Sequence, residues 1–95
     1  SSTEKEDIDS MIGKIIELRK TNPIAILPLS DSIIQLSKEI NYVEGELQGG
    51  LQKTVGYFFN SRYDEAIKCS NQLIYQLEQQ AGIDSLFKSK QLGAL

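Results

Sequence analysis

Few side chains in this chain could do chemistry, and histidine is missing altogether. Without it the chain lacks the commonest general base and a usual ligand of zinc. The one cysteine, Cys69, lies in a helical pattern with no base near it in sequence, so we interpret it as a buried or half-buried thiol. A single cysteine also excludes an internal disulfide and favours a reducing compartment.

Paired carboxylates are the remaining candidates for acid–base catalysis, which requires burial or a tuned partner. Each pair lies at a predicted helix end or on a solvated face: Asp7 with Asp9, Glu44 with Glu46, and Asp64 with Glu65. The glycines of "QGG" are not followed by the Lys-Ser/Thr of a phosphate-binding loop. We therefore predict a protein that is not an enzyme and that uses neither a metal nor a cofactor.

Composition is that of one folded domain over residues 1–95, with 40% hydrophobic and 24% charged residues. The ten Lys and Arg residues are scattered among thirteen acids, which argues against nucleic acid as a partner. Pro28 interrupts the longest apolar run, so no stretch resembles a membrane span. The first ten residues are acidic and polar, unlike a signal peptide. We expect a cytoplasmic monomer.

Four segments carry apolar residues at the spacing of an amphipathic helix, and no segment alternates as a strand does. They cover residues 3–20, 28–46, 51–61 and 62–80. Such a pattern predicts an all-α, antiparallel four-helix bundle with a short C-terminal tail at 83–95.

The helix boundaries follow from capping and breaking residues. Thr3 and Ser61 are predicted N-caps, and Gly82 is the predicted end of the fourth helix. Gly45 and the pair Gly49–Gly50 are predicted to form a loop before the third helix. A helical turn is an option for residues 23–27.

The core is predicted from the densest apolar stripes. We expect Phe58 and Ile74 to face it, with Phe59 also buried and Tyr57 at its boundary. One face of the fourth helix is expected to supply Tyr63, Ala66, Ile67, Ser70, Ile74, Leu77 and Ala81.

The second half of the chain resembles a known family. "LQKTVGYFFNSRY" leads into the long helix "DEAIKCSNQLIYQLEQQ", which breaks at "AGIDSLF", and "LSDSIIQLSKEI" looks like the family's second helix. This combination resembles the immunity proteins of pediocin-like (class IIa) bacteriocins, most closely the enterocin A immunity type. The resemblance covers roughly residues 8–90.

The resemblance implies a cytosolic four-helix bundle that protects a cell against a pore-forming peptide. Members act from inside the cell, at the inner face of the membrane. They recognise the membrane components of the mannose phosphotransferase system when bacteriocin occupies them. The C-terminal half of the protein decides which bacteriocins are resisted.

The tail is therefore the candidate recognition element, with Ile83, Leu86, Phe87, Lys88 and Lys90 as its candidate residues. A simpler interpretation is that Ile83 and Leu86 fold back over the open end of the bundle, and the two roles are compatible. The alternative function is that of a generic helical adaptor or regulatory protein that binds a partner's amphipathic helix in a groove.

Overall fold

The computed structural model describes residues 2–81, which form four α-helices and one 3₁₀ turn. The elements are α1 (Ser2–Thr21), the 3₁₀ turn (Pro23–Ala25), α2 (Ile26–Glu39), α3 (Val43–Phe59) and α4 (Tyr63–Ala81). Each helix runs antiparallel to the one before it, because the end of each helix lies beside the start of the preceding one. The described residues contain no strand. The predicted all-α, antiparallel four-helix bundle is confirmed.

The turns between the helices are tight. Asn41 follows α2 with a φ of 57°, and Ser61 follows α3 with a φ of 61°. Side chains such as Asn tolerate this left-handed conformation better than most residues. The predicted caps are wrong, because Ser61 lies in the turn before α4, and Thr3 lies inside α1 rather than before it. The option of a helical turn after Pro23 is confirmed.

Glycines of α3 lie at its contact with α2. The predicted loop at Gly45 and Gly49–Gly50 is wrong, because all of these residues lie inside α3. A Cβ placed on Gly49 would lie 2.7 Å from Cγ1 of Ile34, and one on Gly56 would lie 2.7 Å from Cγ2 of Ile26. The two helices therefore approach so closely that the contact has no room for a side chain. From sequence alone these glycines predict a loop, because glycine lowers helix propensity.

The buried core lies between α1 and α2. Its fully or almost fully buried members are Ile8, Ile15, Ile26 and Ile33. Partly buried side chains surround them, Met11, Leu29 and Tyr42 among others. A short hydrogen bond of 2.7 Å, from Arg19 Nη2 to Oε1 of the buried Gln52, ties α1 to α3 beside this core.

Helix α4 contacts α3 and, within residues 2–81, no other helix. It turns Ala66, Cys69 and Leu73 toward α3, and Leu73 reaches Gly50, where an added Cβ would lie 3.2 Å from its Cδ1. A hydrogen bond of 2.8 Å from Gln76 Nε2 to Glu46 Oε1 fixes the register at the far end. The bundle is consequently open along one side of α4.

Candidate interaction surface

An exposed row of large apolar side chains runs along α4. It consists of Tyr63, Ile67, Ser70, Ile74 and Leu77, which we call the α4 stripe. Its large members are exposed, with 60% of Ile67 and 50% of Ile74 open to solvent. On a folded protein, a continuous row of exposed apolar side chains usually marks a contact surface, whereas single exposed apolar residues are common and need no explanation.

The predicted burial of this face is wrong for most of its members. Ile74 and Phe58 are exposed, and Phe58 is 58% open to solvent. Phe59, Tyr63, Ile67 and Leu77 are also exposed, to different degrees. Ala66 is buried, as predicted. The reason is the rotation of α4, which presents the Ala66 and Leu73 edge to Gly50 of α3 and leaves the richer stripe facing outward.

An aromatic cluster lies at one end of the α4 stripe. Phe58 meets Phe59 edge to face, with ring centroids 5.9 Å apart, and meets Tyr63 at 5.6 Å. Edge-to-face contacts of this kind hold rings in fixed orientations. A depression of about 360 Å³ beside them is lined by Phe58, Tyr63, Ala66, Ile67, Ser70 and Asn71. The arrangement offers an apolar partner exposed aromatic rings beside a shallow depression.

The α4 stripe carries no charge of its own. Asp64, Asn71 and Glu78 border it on the solvent side, each seven residues from the next. The basic Arg62 is turned away, because it pairs with Glu65 at 2.5 Å and lies over the ring of Tyr57. The surface is thus an apolar strip with a polar and partly acidic border, which suits a protein partner.

A second, more polar groove lies between α2, α3 and α4. Its cavity of about 260 Å³ contains Lys53, Tyr57, Lys68 and Cys69. Lys53 forms an ion pair of 2.8 Å with Asp31, and this hydrogen bond raises the pKa of the lysine above its ordinary 10.5. The ion pair with Asp31 therefore favours the charged form of Lys53.

The chemistry of Cys69 agrees with the sequence interpretation. The residue is half-buried, as predicted, and its thiol donates a weak hydrogen bond of 3.7 Å to the carbonyl of Gly50. Among residues 2–81 no group of three or more Cys, Asp or Glu side chains is placed to hold a metal ion. We find no helix in this part of the chain that is both long and apolar enough to cross a membrane.

The candidate recognition residues of the tail cannot be placed against this surface. They lie outside the described residues: Ile83, Leu86, Phe87, Lys88 and Lys90, together with the predicted helix end at Gly82. What the described chain adds is the position of their attachment point, the C-terminal end of α4. Sequence reasoning found the residues of the α4 stripe but assigned them to the core.

Comparison with known proteins gives no relative from which to argue. No protein-family model matches the chain, and neither the curated proteins nor the solved structures contain a significant match.

Proposed function

We propose that this chain is a non-catalytic binding protein, an immunity protein against a class IIa pore-forming peptide. In this proposal it acts in the cytoplasm, at the inner face of the membrane. It binds the membrane components of the mannose phosphotransferase system when bacteriocin occupies them, and so prevents the pore from conducting. The sequence resemblance supports this choice of target over a generic partner helix.

The observation that carries the proposal is the isolation of α4. Within residues 2–81 this helix packs only on α3, and its last described residue, Ala81, lies two positions before the first of the five candidate recognition residues. Residues 51–81, which carry much of the resemblance, form the second half of α3 and all of α4. Because α4 contributes nothing to the isoleucine core of α1 and α2, its C-terminal end can contact a large partner without disturbing that core.

The chemistry of the tail fits a receptor that lies in a membrane. Phe87 supplies an aromatic ring, and Lys88 and Lys90 supply two cations beside it. Aromatic rings favour the boundary between apolar and wet surroundings, and lysine is attracted to the anionic inner leaflet. We expect these three residues to contribute to the contact with the receptor.

Expression in a sensitive strain tests the proposal. The wild-type chain should protect cells against at least one peptide of a class IIa panel, and Phe87→Ala with Lys88→Ala and Lys90→Ala should weaken that protection. A matched control replaces Ile16, Lys14 and Lys20 by alanine, which are one apolar and two basic residues exposed on α1. This control should keep full protection, and circular dichroism should give the same helical content for all three proteins.

Two results would contradict the proposal at different levels. If the wild-type chain protects against no peptide of the panel, the immunity function is wrong and the adaptor interpretation takes its place. If the tail variant protects as well as the wild type, the function stands but the tail is not the recognition element. Protein added to the medium should give no protection, because the proposed contact lies inside the cell.

A further inference from the structure

We propose that the α4 stripe is a dimer interface, in which α4 of one copy packs against α4 of a second copy in antiparallel orientation. This inference is independent of the proposed function and concerns a surface that the proposed receptor contact does not use. It starts from the large apolar side chains that α4 leaves in water. The sequence predicts a monomer, and in a monomer helices α1 to α3 leave this strip about half open to water.

The spacing of the α4 stripe is that of a two-helix seam. Its members follow one another at intervals of four, three, four and three residues, from Tyr63 to Leu77. Apolar residues at this alternating interval form the a and d positions that let one helix pack along another. The stripe extends over four turns of a helix, whereas an apolar residue exposed by chance stands alone. Helix α4 is therefore built to pair with a helix on its outer side.

The sizes of the side chains favour the antiparallel arrangement. In antiparallel pairs each a position packs against a d position of the other helix. With the register that keeps Tyr63 in the seam, Tyr63 meets Ile74 of the second copy, and Ile67 meets Ser70. A small residue then faces a large one in each central layer. A parallel pair in register would instead set Ser70 against Ser70 and leave a gap on the seam, which packed interfaces avoid.

Charges at the border are compatible with this register. In an antiparallel pair the same border of each helix faces the other, so this register places Asp64 beside Asn71 of the second copy and leaves Glu78 beyond the start of the other α4. No acid on the border of one helix therefore lies opposite an acid on the border of the other. Like charges placed directly across a seam would disfavour association.

The exposed area is sufficient for a specific dimer. If a fully exposed side chain presents about 200 Å², the exposed fractions of Phe58, Phe59 and the large stripe residues give on the order of 600 Å² of apolar surface per copy. Polar atoms along the border add to this. A standard interface buries about 800 Å² on each partner. Two copies joined by a two-fold axis would bury the same patch twice, as closed dimers do.

Sedimentation equilibrium on the full chain tests the dimer. The expected mass is twice 10.6 kDa, falling to the monomer on dilution over about a hundredfold range of concentration. Ile74→Glu should weaken association by about a hundredfold or more, because symmetry introduces the buried charge twice. Tyr75→Glu is the matched control. Tyr75 is the next residue, is 64% exposed and points off the stripe, so its replacement should leave association unchanged.

Cysteine cross-linking tests the orientation in a Cys69→Ser background. Mixing Tyr63→Cys with Ile74→Cys should give a disulfide-linked pair under oxidising conditions, and neither variant alone should do so. Cross-linking of Ile74→Cys with itself would overturn the antiparallel register. A fully helical chain that stays monomeric at every concentration would overturn the dimer. Equal loss of association in Ile74→Glu and Tyr75→Glu would show that the α4 stripe is not the interface.

Discussion

Replacing glycine by alanine should change the stability of this protein in opposite directions at Gly49 and Gly13. Both residues lie inside helices, so alanine adds about 1 kcal/mol of helix propensity at either position. Nothing lies within 4 Å of a Cβ on Gly13. Gly13→Ala should therefore raise the free energy of unfolding by about 0.5 to 1 kcal/mol.

At Gly49 the clash of an added side chain with α2 costs more than alanine gains in helix propensity. The added Cβ would lie 2.7 Å from Cγ1 of Ile34 and 3.2 Å from the backbone nitrogen of the same residue. A side chain can rotate away, but the backbone moves only if α2 moves, and overpacking of this kind costs about 1–3 kcal/mol. We expect Gly49→Ala to lower the free energy of unfolding by about 1 kcal/mol after the propensity gain is subtracted.

Urea unfolding followed by circular dichroism measures both changes, and 1 kcal/mol corresponds to about 4–8 °C in Tm for a domain of this size. Gly50→Ala is an internal control, because its Cβ meets only the flexible end of Leu73, at 3.2 Å. We expect a small effect there. If Gly49→Ala stabilises the protein as Gly13→Ala does, the close approach of α2 and α3 is refuted.

Two further predictions concern the core and alkaline pH. Ile15→Ala should lower the free energy of unfolding by about 2–5 kcal/mol, since Ile15 is fully buried, whereas Phe58→Ala should cost less than about 1 kcal/mol because most of the ring is exposed. Equal losses in urea unfolding would contradict the assignment of the core to α1 and α2. The phenol of Tyr42 donates a hydrogen bond of 2.8 Å to Asp9, which raises its pKa above the ordinary 10.0. The folded protein therefore holds this proton more tightly than the unfolded chain. The resulting stability is present below pH 10.0 and is lost as the pH rises through the raised pKa. Tyr42→Phe should reduce that alkaline loss in urea midpoints, and an unchanged pH dependence would show that the bond contributes nothing.

The helices themselves could be predicted from sequence because amphipathic spacing is a local property. The stripe of Ile8 and Ile15 in α1 and that of Ile33 in α2 are visible as repeats of three and four residues, and both face the core. The 3₁₀ turn at Pro23 was also an option, since proline disfavours a continuous helix there.

The position of the third helix could not be predicted because glycine has two opposite uses. In isolation Gly45 and Gly49 weaken a helix and favour a loop. Against α2 the same residues allow two backbones to approach, and a Cβ on Gly45 would collide with Oγ of Ser37. Only the partner surface decides which use applies, and that surface comes from a different segment of the chain.

Which face of α4 is exposed could not be predicted from the sequence, for a related reason. An amphipathic pattern states that one side of a helix avoids water, but it does not state what covers that side. Tyr63, Ile67 and Ile74 form the stronger stripe, while the edge with Ala66 and Leu73 fits the space beside Gly50. The fit of side chains beside Gly50 therefore determines the rotation of α4. Hydrophobicity alone predicts the wrong face of the helix as the buried one.

Within residues 2–81 of the monomer, α4 packs on α3 only, and this has a consequence for hydrogen exchange and for sequence divergence. The most deeply buried isoleucines all lie in α1 and α2, so α4 can detach without opening that core. Amides of α4 should exchange through a sub-global opening of lower free energy than those of α2. Substitutions along α4 then leave the stability of the first two helices almost untouched. Such a helix can acquire new binding preferences while the rest of the protein continues to fold as before.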